Sequence, residues 1–172
     1  MNRNIKYPYL PLGRTHKYVD ENNPYMQEAK RVAFEQATDR RYPAGVLIVM
    51  NGKVIGRGAL QSRLKNKKLI KLHQNGLCVR QILGVKSGKK YWLCPGCCAP
   101  RNHSEPTAIR NAKASGNDTN GVDLYLWGHW WCCKDCWDAM IEAGIRDVYL
   151  LKDSEILFNK ENPDNIVGWQ FG

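Results

Sequence analysis

The stretch of residues 103–136 decides the fold, because it holds two short polar motifs with one apolar segment between them. The first motif is HSEP at residues 103–106, and the second is CKDC at residues 133–136. The intervening residues 122–127 (VDLYLW) are rich in β-forming side chains, which predicts a strand buried on both faces. Each motif opens an apolar segment, so each predicts the first turn of a helix.

Three side chains of these motifs are predicted to hold one zinc ion. Catalytic zinc takes three nitrogen or sulfur ligands and keeps a fourth position for water. His103, Cys133 and Cys136 supply one nitrogen and two sulfurs. The two cysteines are three residues apart, so at a helix start both sulfurs can face one point, where the helix dipole also favours thiolates.

Glu105 follows the histidine by two residues and is predicted to enter the same site without binding the metal. There its carboxylate would take a proton from water and deliver it to a substrate. An alternative is a closed structural zinc site with a fourth cysteine ligand, which leaves Glu105 without a role. Cys132 lacks the two-residue spacing to Cys136 and is expected either to support a group of the site or to pack beside it.

The remaining segments predict an α/β domain around this stretch. A helix is expected over residues 28–41, and the Asn51-Gly52 pair predicts a hairpin between two β-type segments. Further elements are listed here in chain order: strands at 46–50 and 53–59, a short helix at 76–83, a helix at 106–114, the strand at 122–127, a helix at 133–143 and a strand at 148–151. This order predicts a three-layer α/β/α sandwich with a mixed central sheet. Residues 1–24 are expected to form an irregular arm before a single domain over residues 25–172.

Composition limits the classes of protein that remain. The chain has 172 residues, 43% of them hydrophobic, and a formal net charge of +10. No run reaches the ~18 apolar residues of a membrane span, and the N-terminus lacks the apolar core of a secretory signal, so a cytoplasmic protein is expected. Seven clustered cysteines in such a compartment favour metal binding. The positive charge favours anionic partners.

Several motifs together resemble one family. Cys78-Val79-Arg80, then SGKKYWLC at residues 87–94, then the HSEP motif, resemble the deoxycytidylate (dCMP) deaminase subgroup of the zinc-dependent cytidine/deoxycytidylate deaminases. The two motifs that flank the strand also match the signature of zinc nucleobase deaminases, except that Cys132 holds the proline position. The resemblance covers about residues 28–152. It implies the α/β/α fold and hydrolysis of a cytosine 4-amino group to a uracil carbonyl with release of ammonia.

The sequence departs from the pattern of that subgroup at several positions. Ser104 stands in place of alanine, Pro106 and Thr107 replace the usual polar residues, and the segment between Cys94 and His103 is longer. Residues 58–61 also lack the asparagine that holds the sugar in the family.

The substrate is therefore predicted only by class. The resemblance favours a free nucleotide, and Arg80, Trp127 and His129 are candidate contacts. A substrate phosphate is expected to meet Arg80 or the basic residues 63–71. Two alternatives remain: a base deaminase that acts on single-stranded nucleic acid or tRNA, and a non-catalytic zinc module with the same fold. A homo-oligomer is expected.

A second, structural metal site is predicted from the remaining cysteines. Cys94 and Cys97 flank a Pro-Gly pair, which supports a turn that brings the two sulfurs together. Cys78, Cys98 or His73 would complete the ligand set. The alternative is a group of unligated thiols packed beside the active site.

Overall fold

The computed structural model describes residues 5–85 and 89–167 and contains one mixed five-stranded sheet in the order β1-β5-β4-β2-β3. The strands are β1 His16–Val19, β2 Gly45–Met50, β3 Lys53–Ala59, β4 Asp123–Trp127 and β5 Asp147–Leu151. The helices are α1 Pro24–Gln36, α2 Lys67–Gln74, α3 Val79–Ile82, α4 Ser104–Ala114, α5 Lys134–Glu142 and α6 Ser154–Phe158. None of the helices in this described part is long and apolar enough to cross a membrane.

The helices cover both faces of the sheet. Strands β1, β5 and β4 run parallel, whereas β2 is antiparallel to both β4 and β3. Helices α4 and α5 bury one face, and α1 and α6 contribute to the core on the other. The predicted three-layer α/β/α sandwich with a mixed sheet is confirmed.

Helix α4 lies unusually close to β3, and small residues make this approach possible. Gly56 and Gly58 are two residues apart on β3, so both point to the same face of the sheet. They face Ala108 and Ala112 of α4, and a Cβ at Gly58 would lie 2.3 Å from the Ala108 nitrogen. The first turn of α4, which begins at Ser104, is thereby held against the sheet.

The structure corrects the predicted boundaries in the N-terminal part of the chain. The expected irregular arm contains β1, which pairs with β5 through His16 and Val148. This strand was missed because it is short and lies at the sheet edge, where an alternating apolar pattern is not required. Helix α1 begins at Pro24 after its Asn23 cap and ends at Gln36, earlier than the predicted 28–41 at both ends.

Two helices occupy the basic and cysteine-rich region between β3 and α4. Helix α2 covers part of the basic run, for which the sequence predicted no definite structure. The helix predicted over residues 76–83 is shorter, and only Val79–Ile82 is helical. Gly76 ends the preceding turn with φ +103°, a conformation that glycine adopts readily and that excludes a longer helix.

Candidate active site

The structure brings His103, Cys133 and Cys136 together. The Cys133 and Cys136 sulfurs are 3.2 Å apart, and they lie 3.6 and 3.3 Å from His103 Nδ1. A tetrahedral zinc ion with bonds of ~2.3 Å to sulfur and ~2.0 Å to nitrogen separates its ligand atoms by about 3.5–3.8 Å. Two of the three observed distances are slightly shorter than these values, so the side chains could hold one zinc ion after shifts of about half an ångström.

Two helix starts create this geometry. His103 and Cys133 occupy the N-cap positions of α4 and α5, and both have extended backbone conformations. The Cys133 sulfur accepts a hydrogen bond from the Cys136 backbone N–H at 3.4 Å. The Cys136 thiol and the nearby His103 lower the pKa of Cys133 to about 6, which favours the thiolate that binds zinc.

A backbone carbonyl fixes the orientation of the His103 ring. His103 Nε2 lies 3.2 Å from the Cys98 carbonyl oxygen, which can only accept a hydrogen bond. Nε2 therefore carries the proton in the neutral ring, and the Nδ1 lone pair faces the two sulfurs. Such a partner behind a ligating histidine holds the tautomer that a metal requires.

The Glu105 carboxylate lies in the same site and is buried. Ser104 Oγ donates a hydrogen bond to Glu105 Oε2 at 3.1 Å, and the buried Cys132 thiol lies near the carboxylate. Burial and the Glu105 charge raise the pKa of Cys132 well above its usual value, so Cys132 remains a thiol. Cys132 therefore lies beside the site, next to Glu105.

A cavity of 620 Å³ opens onto these groups. Its wall includes His103, Cys133 and Glu105, together with three basic side chains from distant parts of the chain. These cations are Arg41, Arg80 and Lys160. The predicted contact residue Arg80 therefore lines the cavity, whereas the sequence gave no indication of Arg41 or Lys160, which lie far from the motifs.

His129 also lines this cavity, as a candidate substrate contact should. Its Nδ1 accepts a hydrogen bond from the Trp130 backbone N–H at 3.1 Å, which leaves the proton on Nε2. Burial lowers the pKa of His129 to about 3, and the positive charge of Lys160 acts in the same direction. His129 is therefore neutral near pH 7 and offers a hydrogen bond without a charge.

The structure does not support two of the predicted substrate contacts. Trp127 is buried in the core on the opposite face of the sheet, with its ring centroid 5.3 Å from Phe34 and 5.1 Å from Phe158. Successive strand residues face opposite ways, and Leu126 is the one that reaches the cavity. Residues 63–71 are likewise absent from the described wall of the cavity, and their lysines are exposed.

The side chains proposed for a second metal also come together. Potential ligand atoms of His73, Cys78, Cys94 and Cys97 all lie within 4.8 Å of one another. Cys98, the remaining candidate, is buried nearby but does not join this cluster. The Ser87-Gly88 pair of the family-like motif lies outside the described residues.

Comparison with known proteins identifies the family. Residues 19–152 match the family described as the cytidine and deoxycytidylate deaminase zinc-binding region. Fold and site thus define a zinc-dependent deaminase, and the predictions of an enzyme and of zinc are confirmed. The chain belongs to the cytidine and deoxycytidylate deaminase family.

Solved structures with a similar fold come from several deaminases. A dCMP deaminase from cyanophage S-TIM5 is 21% identical with a TM-score of 0.46, and the match covers 76% of this chain and 82% of that one. A guanine deaminase from Bacillus subtilis is 21% identical with a TM-score of 0.43, covering 73% and 60%. A bifunctional diaminohydroxyphosphoribosylaminopyrimidine deaminase/reductase from Thermotoga maritima is 21% identical with a TM-score of 0.44; 73% of this chain matches only 28% of that chain. A search of curated proteins found no match.

Proposed function

We propose that the protein hydrolyses the 4-amino group of a cytosine nucleotide of the dCMP type and releases ammonia and the uracil nucleotide. The observation that supports this most directly is the shared cavity, in which the His103 site and Glu105 meet three basic side chains. The His103 site and Glu105 suit hydrolysis of an amino group on a flat ring, and the three cations suit the binding of a phosphate. The resemblance of residues 78–94 to the dCMP deaminase subgroup favours the same substrate.

The reaction needs few groups from the chain. Zinc, when bound, supplies a Lewis acid that lowers the pKa of water from ~15.7 to about 7. Glu105 would accept one proton from the attacking water and pass it to the ring nitrogen. It would then accept the proton of the hydroxyl group so formed on the ring carbon and pass it to the amino group, which leaves as ammonia. Ser104 holds the carboxylate in place, and Cys132 lies beside it. His129 offers its Nε2–H to a polar atom of the base or sugar.

Arg41, Arg80 and Lys160 would receive the phosphate. The Arg80 guanidinium lies over the Tyr91 ring at 4.2 Å and donates to the Lys89 carbonyl at 2.9 Å, so its position is fixed. The Lys160 ammonium lies 3.5 Å from the Tyr42 ring centroid, and the residue as a whole is exposed. A dianionic phosphate would gain charge-assisted hydrogen bonds from such a group.

Substitution Lys160→Gln is expected to raise KM for dCMP about tenfold while it leaves KM for deoxycytidine nearly unchanged. A hydrogen bond to a charged group contributes ~1.5–3 kcal/mol, and this exposed position favours the lower end. Steady-state kinetics with both substrates provide the measurement. Lys68→Gln on α2 is the matched control, because that lysine is exposed and lies outside the cavity wall. Equal changes for nucleotide and nucleoside would remove the phosphate role of Lys160.

A substrate screen tests the proposed function itself. Ammonia release would be followed with cytosine, cytidine, deoxycytidine, dCMP and dCTP, with adenine and guanine species, and with single-stranded DNA and tRNA. We expect the highest kcat/KM with dCMP. A guanine or adenine compound as the best substrate would contradict the proposal.

A nucleic-acid substrate is the second candidate, and the exposed basic surface favours it. Lys65, Lys67, Lys68 and Lys71 are all exposed at or near α2, whose His73 reaches the cavity wall. Turnover of single-stranded DNA or tRNA that falls steeply with salt concentration would support this candidate, because polynucleotide binding releases counterions. A homo-oligomer and a cytoplasmic location also remain predictions, and light scattering would test the former.

A further inference from the structure

The region between β3 and α4 has almost no hydrophobic core of its own. Its large apolar side chains at Leu77, Ile82, Leu83 and Trp92 are 61%, 68%, 62% and 74% exposed. Within described residues 63–97, the buried ones are His73, Cys78, Arg80, Cys94 and Gly96. Folding a segment of this length costs conformational entropy that these few buried atoms do not offset.

Three of these buried side chains, His73, Cys78 and Cys94, form a set of four possible metal ligands with the half-buried Cys97. Cys78 Sγ lies 3.5 Å from Cys97 Sγ, and Cys94 Sγ lies 3.4 Å from His73 Nδ1. Those separations match the ~3.5–3.8 Å expected between the ligand atoms of a tetrahedral zinc ion. Three sulfurs and one nitrogen fill all four positions, as in structural zinc sites.

We propose that His73, Cys78, Cys94 and Cys97 bind a second zinc ion, which is structural and orders residues 63–85 and 89–102. The site stands on its own geometry and does not depend on the proposed substrate. Because the metal-free segment lacks a core, the binding energy of this ion contributes to folding.

The backbone around the four side chains is shaped to bring them together. The Cys97 N–H donates to the Cys94 carbonyl at 3.0 Å and closes the turn through Pro95 and Gly96. A Cβ at Gly96 would lie 2.3 Å from His73 Cγ and 2.4 Å from His73 Nδ1. Only glycine therefore allows the imidazole to lie against this turn with its ring nitrogen beside the Cys94 sulfur.

The neighbouring charge also suits a metal-bound thiolate. Arg80 Nη1 donates to the Cys97 sulfur at 3.5 Å. A guanidinium beside a neutral thiol gains little, whereas beside a zinc thiolate it offsets part of the negative charge of three sulfurs.

The second site is connected to the first through two adjacent residues. Cys97 is a proposed ligand of the second ion, and the carbonyl of Cys98 accepts the hydrogen bond that orients His103. Loss of the second ion would allow the Cys98 carbonyl and the cavity residue Arg80 to move. The second zinc is therefore expected to slow release of the first.

Metal analysis of the purified protein tests the proposal. We expect two zinc equivalents per wild-type chain, with Cys78, Cys94 and Cys97 protected from alkylation until a chelator is added. Cys94→Ser is expected to retain one zinc equivalent, at the His103 site. A chelator should remove this ion faster than it removes the more slowly released of the two zinc ions of the wild type. Gly96→Ala, which keeps every ligand, is expected to weaken the second site in the same direction.

Cys98→Ala is the matched control, because it removes an equally buried thiol of the same region that lies outside the cluster. It should retain two zinc equivalents. If Cys94→Ser does not fold, alkylation of the wild type with and without chelator still shows whether these cysteines bind a metal. One zinc equivalent in the wild type, with Cys94 and Cys97 freely alkylated or with a Cys78–Cys97 disulfide, would overturn the proposal whatever the substrate proves to be.

Discussion

Replacing Glu105 with glutamine is expected to lower kcat by ~10²–10⁴-fold or more on the true substrate while zinc remains bound. General acid–base catalysis contributes this much when one group acts once, and here a single carboxylate would serve both the water and the leaving group. Glutamine has nearly the same shape, and its carbonyl oxygen can still accept the hydrogen bond from Ser104, but it cannot accept and return a proton.

Three measurements separate a catalytic effect from a structural one. The variant should have a wild-type melting temperature, an unchanged zinc content and a greatly reduced rate of ammonia release. Glu142→Gln provides the control, since this exposed glutamate at the end of α5 loses the same charge far from the cavity. Near-normal turnover by Glu105→Gln would show that another group moves the proton.

The sequence predicted the metal-binding triad because its geometry is local. A Cys-x-x-Cys pair at a helix start brings two sulfurs to one point whatever surrounds it, and residues 122–127 formed the predicted strand between the motifs. The second cluster was also indicated by spacing, although only the structure selects His73 and Cys78 and leaves out Cys98. Metal analysis of the purified protein tests whether this second cluster binds zinc.

Two of the three cations that line the cavity, Arg41 and Lys160, could not be predicted in this way. Arg41 follows α1, and Lys160 follows α6, so more than a hundred residues separate two side chains that line one cavity. Charge density along the chain pointed instead to residues 63–71, which face solvent. Local charge density does not reveal which cations the tertiary fold brings to one wall.

The sequence also did not show which face of the sheet each residue of β4 occupies, and this affected the prediction for Trp127. Trp127 was expected near the substrate because a flat aromatic ring at that end of the strand could stack on a base. A continuous apolar strand such as β4 has no alternation from which its two faces can be told apart, so the side chain that faces the cavity is known only once α4 and α5 are in place. The packing of α4 against the sheet also depends on the two glycines of β3.

Gly58→Ala is expected to destabilise the protein and to reduce activity together. The new Cβ would lie 2.3 Å from the Ala108 nitrogen and 2.4 Å from the Ser104 carbonyl oxygen, both of them backbone atoms of α4 that cannot rotate away. The helix must therefore move away from the sheet. Overpacking of this kind costs ~1–3 kcal/mol, and each kcal/mol lowers Tm by about 2–4 °C in a protein of this size.

The loss of activity should exceed what unfolding alone explains. Glu105 follows Ser104 in the displaced first turn, and a shift of ~1 Å in a reacting group can cost ~10²-fold in rate. Thermal unfolding and kcat measured well below Tm would separate the two effects. Arg57→Ala, on the same strand, removes only an exposed ion pair with Glu28 and should cost less than about 1 kcal/mol with normal kcat. A Gly58→Ala protein with wild-type Tm and kcat would show that α4 can move without displacing Glu105 and that the close contact with β3 does not position the carboxylate.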